Sequence, residues 1–332
     1  MKNCSKIILY CTFIVLALPL EASEASNESA IEACTALNSR TANDDQTIGT
    51  LRQQCKNSTR TLIGKRSAYE QAASKNPFAI LPHKPNYLLP ATYFDANALP
   101  YRDIFQGYHL DDVEAKFQVS IKYMAIENIH VDALDLQFAF TATSWWQSYN
   151  SDISAPFRET NYEPELILSY TKPWSLLGLT VENSAISLNH QSNGQAGVLS
   201  RSWNRIIGRL TFSNDQYVWT VRTWWRFPED DKTIIDGVAQ PGGDDNPDIA
   251  KYMGNGELGF LWRPQRNLHI NVLLRNNLRS NNKGAVLLGW SFPLNTHLLG
   301  YVEYFNGYGE SLIYYNHSIK RIGLGVKLTD WL

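Results

Sequence analysis

From Asp112 onward, apolar and polar residues alternate with a period of two. Ala115, Phe117, Val119, Ile121 and Tyr123 interleave with Glu114, Lys116, Gln118, Ser120 and Lys122. Leu134, Leu136, Phe138, Phe140 and Ala142 interleave with Asp135, Gln137, Ala139 and Thr141, and Tyr217, Trp219, Val221, Thr223 and Trp225 with Thr220, Arg222, Trp224 and Arg226. Successive residues of a strand point to opposite faces, so each segment predicts a strand with one apolar and one polar or charged face. Twelve strands are expected, at 86–94, 112–124, 132–147, 160–172, 178–192, 202–213, 217–227, 250–262, 267–277, 284–293, 297–307 and 319–332. The first is the weakest, because Pro90 cannot donate to a sheet ladder.

A soluble β-sandwich would show the same alternation. Two features favour an all-β, twelve-stranded antiparallel transmembrane barrel. Many segments reach the roughly ten residues that a tilted strand needs to cross a bilayer. Connections also alternate in length: short at Asn128, around Pro173, at Asn214-Asp215, at Pro264 and at Asn295-Thr296, and long at 148–160, 193–201, 228–250, 278–284 and 307–318. Short turns on one rim and long loops on the other are the outer-membrane arrangement. The last segment, with Ile322, Leu324, Val326 and Leu328 opposite Arg321, Gly323, Gly325 and Lys327, suits a closing strand that leaves no free edge.

The N-terminus changes this picture by adding an address. Met1-Lys2-Asn3-Cys4-Ser5-Lys6, an apolar run from Ile7 to Leu20, and Glu21-Ala22-Ser23-Glu24-Ala25 predict a secretory signal over 1–22, with cleavage between 22 and 25. The run falls short of the roughly 20 residues of a spanning helix. Residues 23–85 lack the period of two and predict a partly helical periplasmic extension, with residues 86–332 forming the barrel. Cys34 and Cys55 remain after processing; in an oxidising compartment they either staple a helical hairpin or stay as free thiols. With a net charge of −2 and no long basic run, a nucleic-acid partner is not expected. The 10 Trp, 17 Tyr and 13 Phe agree with a barrel that meets lipid.

The candidate chemistry lies in Asn189-His190-Gln191-Ser192-Asn193-Gly194 and in Ser200-Arg201-Ser202-Trp203-Asn204-Arg205. Parity puts His190 and Ser192 on the face of Ile186 and Leu188, and Asn204 on the face of Ile206, Leu210 and Phe212. All three are therefore expected on the lipid side, near the long-loop rim, where unpaired polar groups are costly. One reading is that they only hydrogen-bond one another at headgroup level. The other is ester hydrolysis, with His190 activating the Ser192 hydroxyl and the Asn204 carbonyl orienting the imidazole. The Gly-x-Ser-x-Gly elbow of α/β-hydrolases is missing, so the oxyanion needs a backbone N–H, a cation or both. Ser200 and the carbonyls of 194–200 could offer oxygen ligands to calcium.

Those two stretches resemble the active-site hairpin of the outer membrane phospholipase A family. So do Ser154-Ala155-Pro156-Phe157-Arg158-Glu159-Thr160-Asn161-Tyr162-Glu163-Pro164, Asp244-Asp245-Asn246-Pro247-Asp248 with Lys251-Tyr252-Met253-Gly254, and Gly307-Tyr308-Gly309-Glu310-Ser311-Leu312. The resemblance spans roughly 86–332. It implies a bacterial outer-membrane hydrolase of sn-1 and sn-2 acyl esters of phospholipids and lysophospholipids, active as a calcium-dependent homodimer. Ser192 would be its nucleophile, His190 the general base and Asn204 the residue that orients the base. Calcium would be held by Ser200, by the backbone carbonyl of Gln195 (where the family typically has Arg) and by Ser154 of the partner subunit.

Two further readings come from the residues themselves. The acidic loop 228–250, with Glu229, Asp230, Asp231, Asp244, Asp245 and Asp248, is expected to be a solvated surface loop rather than a separate cation site. The rival to an enzyme is a porin or structural barrel with Arg205, Arg209, Arg222 and Arg226 lining its lumen, although with inward carboxylates those arginines predict a closed plug.

Overall fold

The computed structural model describes residues 21–39, 46–95, 109–235, 238–240, 242–265, 268–295 and 298–329. Most of the expected signal segment, and residues 330–332 of the expected last strand, lie outside these. Twelve long strands form the body: β1 (Asn86–Phe94), β2 (Val113–Ile126), β3 (Leu134–Trp146), β4 (Phe157–Tyr170), β5 (Asn183–Ser192), β6 (Ser202–Ser213), β7 (Tyr217–Arg226), β8 (Gly256–Gln265), β9 (Leu268–Asn276), β10 (Gly284–Pro293), β11 (Leu299–Tyr308) and β12 (Ser318–Thr329). Each pairs antiparallel with the next, and β12 returns to β1 in a register running from Arg321 opposite Phe94 to Thr329 opposite Asn86. The ring is a closed antiparallel barrel.

The faces are inverted relative to a protein that folds in water. Ile186 is 61% exposed and Leu324 58%, whereas Glu114 and Lys327 are 0% exposed. Hydrocarbon accepts the outward side chains, while the inward ones must satisfy one another. They do so in ion pairs: Lys116 with Glu303 at 2.7 Å, Arg158 and Arg321 with Glu114 at 2.8 and 2.9 Å, and Arg222 with Glu257 at 2.5 Å. At the long-loop end a short helix, α4 in chain order (Ile249–Met253), and the loop after β11 pack Ile249, Met253, Leu312 and Tyr315 against Trp203, Ile207 and Trp224.

The extension supplies the other three helices: α1 (Glu21–Asn38), α2 (Ile48–Ser58) and α3 (Leu62–Ser74). A Cys34–Cys55 disulfide joins α1 to α2. Thr61 caps α3 by accepting from the Gly64 N–H at 3.0 Å. Leu62 then packs on Val218 and Leu261 of β7 and β8, and its N–H donates to the Asn214 carbonyl at 2.8 Å. From this seat Arg66 and Glu70 join the lumen network, with the Glu70 carboxylate 2.6 Å from Arg66 and 2.7 Å from Lys122 of β2. Charged pairs and the docked helix thereby occupy much of the lumen among the described residues, leaving a cavity of about 130 Å³ lined by Arg66, Glu70, Lys122, Glu165, Arg209 and Arg222.

Several boundaries differ from expectation for identifiable reasons. The strand expected over 250–262 begins at Gly256, because Ile249–Met253 is helical and stops at Gly254 with φ 66°. Pro264 lies inside β8, so the turn expected there is displaced; residues 266–267 and Thr296 lie outside the described residues. Residues 179–181 pair with 174–176 in a small hairpin, and β5 starts only at Asn183. Pro90 is accommodated because β1 is bulged against both neighbours around it.

Glu70 sets a measurable stability term. Burial raises its carboxyl pKa, but Arg66 and Lys122 outweigh this and hold it down at about 2, against an ordinary 4.5. A depressed carboxyl stabilises the fold fully above the unfolded value and loses that effect as pH falls from 4.5 through about 2. Glu70→Gln should therefore lower the thermal midpoint in detergent near neutral pH, and its gap to wild type should close toward about pH 2. A gap that stays constant with pH would remove this role. In planar bilayers the intact protein should show no steady conducting state.

Candidate active site

The β5–β6 hairpin positions the candidate residues. Strand pairing sets His190 directly opposite Asn204 and Ser192 opposite Ser202. On β5, Ala185, Ser187 and Asn189 are buried while Ile186 and Leu188 are exposed, so His190 and Ser192 continue the outward row. Asn204 follows the outward parity of β6. Across the hairpin, His190 Nδ1 and Asn204 Oδ1 lie 2.8 Å apart. A carbonyl oxygen can only accept, so Nδ1 carries a proton, and in the neutral ring Nε2 is then the nitrogen with the lone pair. Ser192 is two residues along the same face, about 7 Å away at Cα. The outward face thus brings together the Ser192 hydroxyl, the His190 imidazole and the Asn204 carboxamide.

Behind this face the inward residues are locked together. Arg205 donates to Asn189 Oδ1 at 2.6 Å and stacks over the Trp203 ring at 3.9 Å. Asn189 Nδ2 donates to Glu163 at 2.9 Å, and Trp203 Nε1 donates to Gln191 Oε1 at 2.8 Å. Asn189, Gln191, Trp203 and Arg205, which alternate with His190, Ser192 and Asn204 along the two strands, are anchored on the opposite face, which fixes the strand backbones that carry them. In front, Tyr162 of β4 sits opposite Ser192 and pairs with Phe140 at 6.4 Å between rings. Trp225 and Phe227 form an edge-on pair at 5.0 Å beyond Asn204. Ester chemistry here would be flanked by aromatic surface open to lipid.

Asn193 organises the loop from 194 to 200. Its side-chain oxygen accepts from the N–H groups of Gln195 at 3.3 Å and Arg201 at 3.0 Å, and its Nδ2 donates to the Leu199 carbonyl at 2.8 Å. Gly194, at φ 65°, also lies where a Cβ would come within 3.2 Å of the Tyr162 ring. The loop carries two of the candidate calcium ligands. Gln195 is exposed, and the Ser200 hydroxyl donates to Asp245 Oδ2 at 2.6 Å. That donation leaves the Ser200 oxygen lone pairs available, and hydroxyl, carbonyl and nearby carboxylate oxygens suit a hard cation. Ser154 lies in the separate loop after β3, exposed and in a left-handed conformation at φ 61°. Its neighbour Ile153 and Leu199 of the hairpin loop both pack on the cluster formed by Phe94, Leu110, Ile313, Tyr314 and Ile319.

The acidic loop corrects the sequence reading. Asp230 and Asp231 are exposed, but the other acids are engaged. Asp244 receives Arg226 at 2.5 Å, Asp245 pairs with Lys232, and Asp248 accepts from the Tyr315 hydroxyl. Asn246 Oδ1 accepts from the Ser202 N–H at 3.0 Å, tying this loop to the start of β6. Glu229 reaches Asn204 itself, with Oε1 3.3 Å from Nδ2. Asn193-Gly194 could have been read as a turn pair from sequence. No periodicity points to Glu229 or Asp245.

The chain is similar to several known proteins. The phospholipase A1 family model matches residues 63–328. Phospholipase A1 of Escherichia coli K12 is 36% identical over 259 residues, covering 77% of this chain and 83% of its own length. That of Klebsiella pneumoniae is 36% identical over 255 residues, covering 77% and 84%. Among solved structures, outer membrane phospholipase A from Escherichia coli superposes with TM-score 0.67 at 34% identity, over 77% of this chain and 94% of that one. The Salmonella typhi outer membrane phospholipase, solved as a dimer with bound calcium, gives TM-score 0.67 at 33% identity, over 78% and 95%. A further Escherichia coli structure, also at 0.67, is an asparagine-to-alanine active-site mutant.

Asn193→Ala should loosen the hairpin loop while leaving the barrel intact. Losing its hydrogen bonds costs about 1–2 kcal/mol locally. Amide exchange at Gln195 and Arg201 should then accelerate about tenfold or more, with the global unfolding midpoint nearly unchanged. Unaltered exchange at both amides would contradict this role for Asn193.

Proposed function

The chain belongs to the phospholipase A1 family, and from that premise we propose an outer-membrane serine esterase that works on lipid through Ser192, His190 and Asn204. The carrying observation is the 2.8 Å contact between His190 and Asn204 on the outward face, beside Ser192. The asparagine-to-alanine active-site mutant of the Escherichia coli protein supports giving an asparagine a place in the site.

In this reading His190 Nε2 takes the Ser192 proton as Oγ attacks an ester carbonyl of a phospholipid in the outer leaflet. The imidazolium, held by its Nδ1–H to Asn204, then gives the proton to the departing glycerol oxygen, leaving an acyl-serine and a lysophospholipid. Water activated by the same imidazole releases the fatty acid and restores Ser192. A carboxamide orients the base without adding a formal charge at the lipid boundary, which lowers the cost of placing the group there. As the resemblance implies, the proposal extends to hydrolysis at both sn-1 and sn-2 and of lysophospholipids.

Calcium enters on the donor set described above and on the calcium-bound Salmonella typhi dimer. The Ser200 hydroxyl and the Gln195 backbone carbonyl would hold it together with Ser154 of the partner subunit. When bound, the cation supplies positive charge for the developing ester oxyanion. Because Gln195 acts through its main chain, its side chain does not alter the ligand set. Two copies meeting along this face would enclose acyl chains between them, making the homodimer the active form and the monomer the resting one.

Release of fatty acid from phospholipid micelles tests the proposal. Ser192→Ala should lose at least about a thousandfold in rate. Asn204→Ala should lose about tenfold, the scale of one orienting hydrogen bond. Chelation should reduce activity and the dimer fraction together in wild type. Full activity in Ser192→Ala would remove the nucleophile. Activity and association that ignore calcium would remove the metal and leave the serine chemistry standing.

A further inference from the structure

We propose that Glu229 is a positioning residue for the His190–Asn204 pair, selecting which way round the Asn204 carboxamide sits and lending it a negative charge. The inference rests on the serine-esterase reading above. A carboxamide presents an accepting oxygen and a donating NH2 group that are nearly equal in shape. With the oxygen toward His190, Nδ1 must hold the proton and Nε2 is the base that Ser192 needs. With the NH2 group toward His190, Nδ1 would have to accept, the proton would sit on Nε2, and no base would face the serine. The imidazole cannot decide between these, because Nδ1 can donate or accept.

An ionised carboxylate can decide, because it only accepts. Glu229 Oε1 lies 3.3 Å from Asn204 Nδ2, while Asn204 Oδ1 lies 2.8 Å from His190 Nδ1. The NH2 group is thus claimed by Glu229 and the oxygen is left for the imidazole. The carboxylate is delivered by a clamped segment. Two residues earlier, the Phe227 N–H donates to the Asn204 carbonyl at 2.9 Å, prolonging β7 beside β6. One residue later, the Asp230 carbonyl accepts from the Asp244 N–H at 2.7 Å. Glu229 itself is half-buried.

The charge acts in the same direction as the geometry. A carboxylate one hydrogen bond beyond Asn204 favours the imidazolium that forms during attack. Other charged groups on the surrounding elements are committed elsewhere. Glu163 and Glu165 of β4 and Arg205 of β6 face the lumen network. Arg201 donates to the Ser200 carbonyl, Arg226 pairs with Asp244 and Lys232 with Asp245, while Asp230 and Asp231 face solvent. Ser192, His190 and Asn204 with Glu229 form a four-membered relay whose last member carries the charge.

The test is steady-state lipolysis of phospholipid micelles across pH for wild type, Glu229→Gln, Glu229→Ala and Ser192→Ala, with circular dichroism and thermal unfolding as fold controls. Glu229→Ala should lose about tenfold in kcat with KM within about twofold. Glu229→Gln keeps an accepting oxygen and should lose less. In both, the acid limb of kcat/KM should move to lower pH, because an imidazole without the carboxylate protonates less readily. If Glu229→Ala fails to fold, the isosteric Gln variant decides. An unmoved acid limb with unchanged kcat, or a change in KM alone, would overturn the assignment. Ser192→Ala separates the two levels: an inactive Ser192→Ala beside wild-type Glu229 variants sinks only this inference, whereas an active one sinks the esterase reading.

Discussion

Between Arg321–Phe94 and Thr329–Asn86, backbone pairing joins β12 to β1 and removes the two edges that the sheet would otherwise present to hydrocarbon. Lipid tails offer no partner to an N–H or a carbonyl, so a spanning sheet exists only as a ring. Once the ring is closed, every residue is assigned to lipid or lumen by parity alone. Ile186, Leu188 and Leu324 take the outside; Glu114, Lys116 and Lys327 take the inside. The same rule carries His190, Ser192 and Asn204 outward. Beside the long loops, His190, Asn204 and Glu229 satisfy one another in pairs there.

The lumen serves the outer face as a rigid backing. Asn189, Gln191, Trp203 and Arg205 are interleaved with the outward residues and held by hydrogen bonds and a stacked guanidinium. Removing one charge from such a network leaves another buried and unpaired, so its geometry is fixed more tightly than its net stability would suggest. The β5–β6 hairpin is thus supported on the face turned away from lipid.

The barrel and the His190, Ser192, Asn204 grouping were legible in the sequence because both rest on a period of two, which is local information. Pro90 weakened the expectation for β1, yet the strand absorbs it as a bulge. The helix at Ile249–Met253 replaced an expected strand start because Tyr252 and Met253 serve the cap cluster rather than an alternating face. Glu229 and Asp245 were read as part of a solvated loop. Their partners, Asn204 and Ser200, stand 25 and 45 residues away, and no local pattern encodes such a meeting. Likewise, Arg66 and Glu70 look like an ordinary i, i+4 helix pair until Lys122 is set beside them.

The disulfide between α1 and α2 bears on how the extension is joined to the barrel. Ile31, Cys34, Cys55 and Ala68 make a small core shared by α1, α2 and α3, with no barrel strand in it. Helix α3 belongs to both parts: Ala68 sits in the stapled core, while Arg66 and Glu70 reach Lys122 of β2 in the lumen. A cross-link made away from every strand therefore restrains a piece of the barrel's interior.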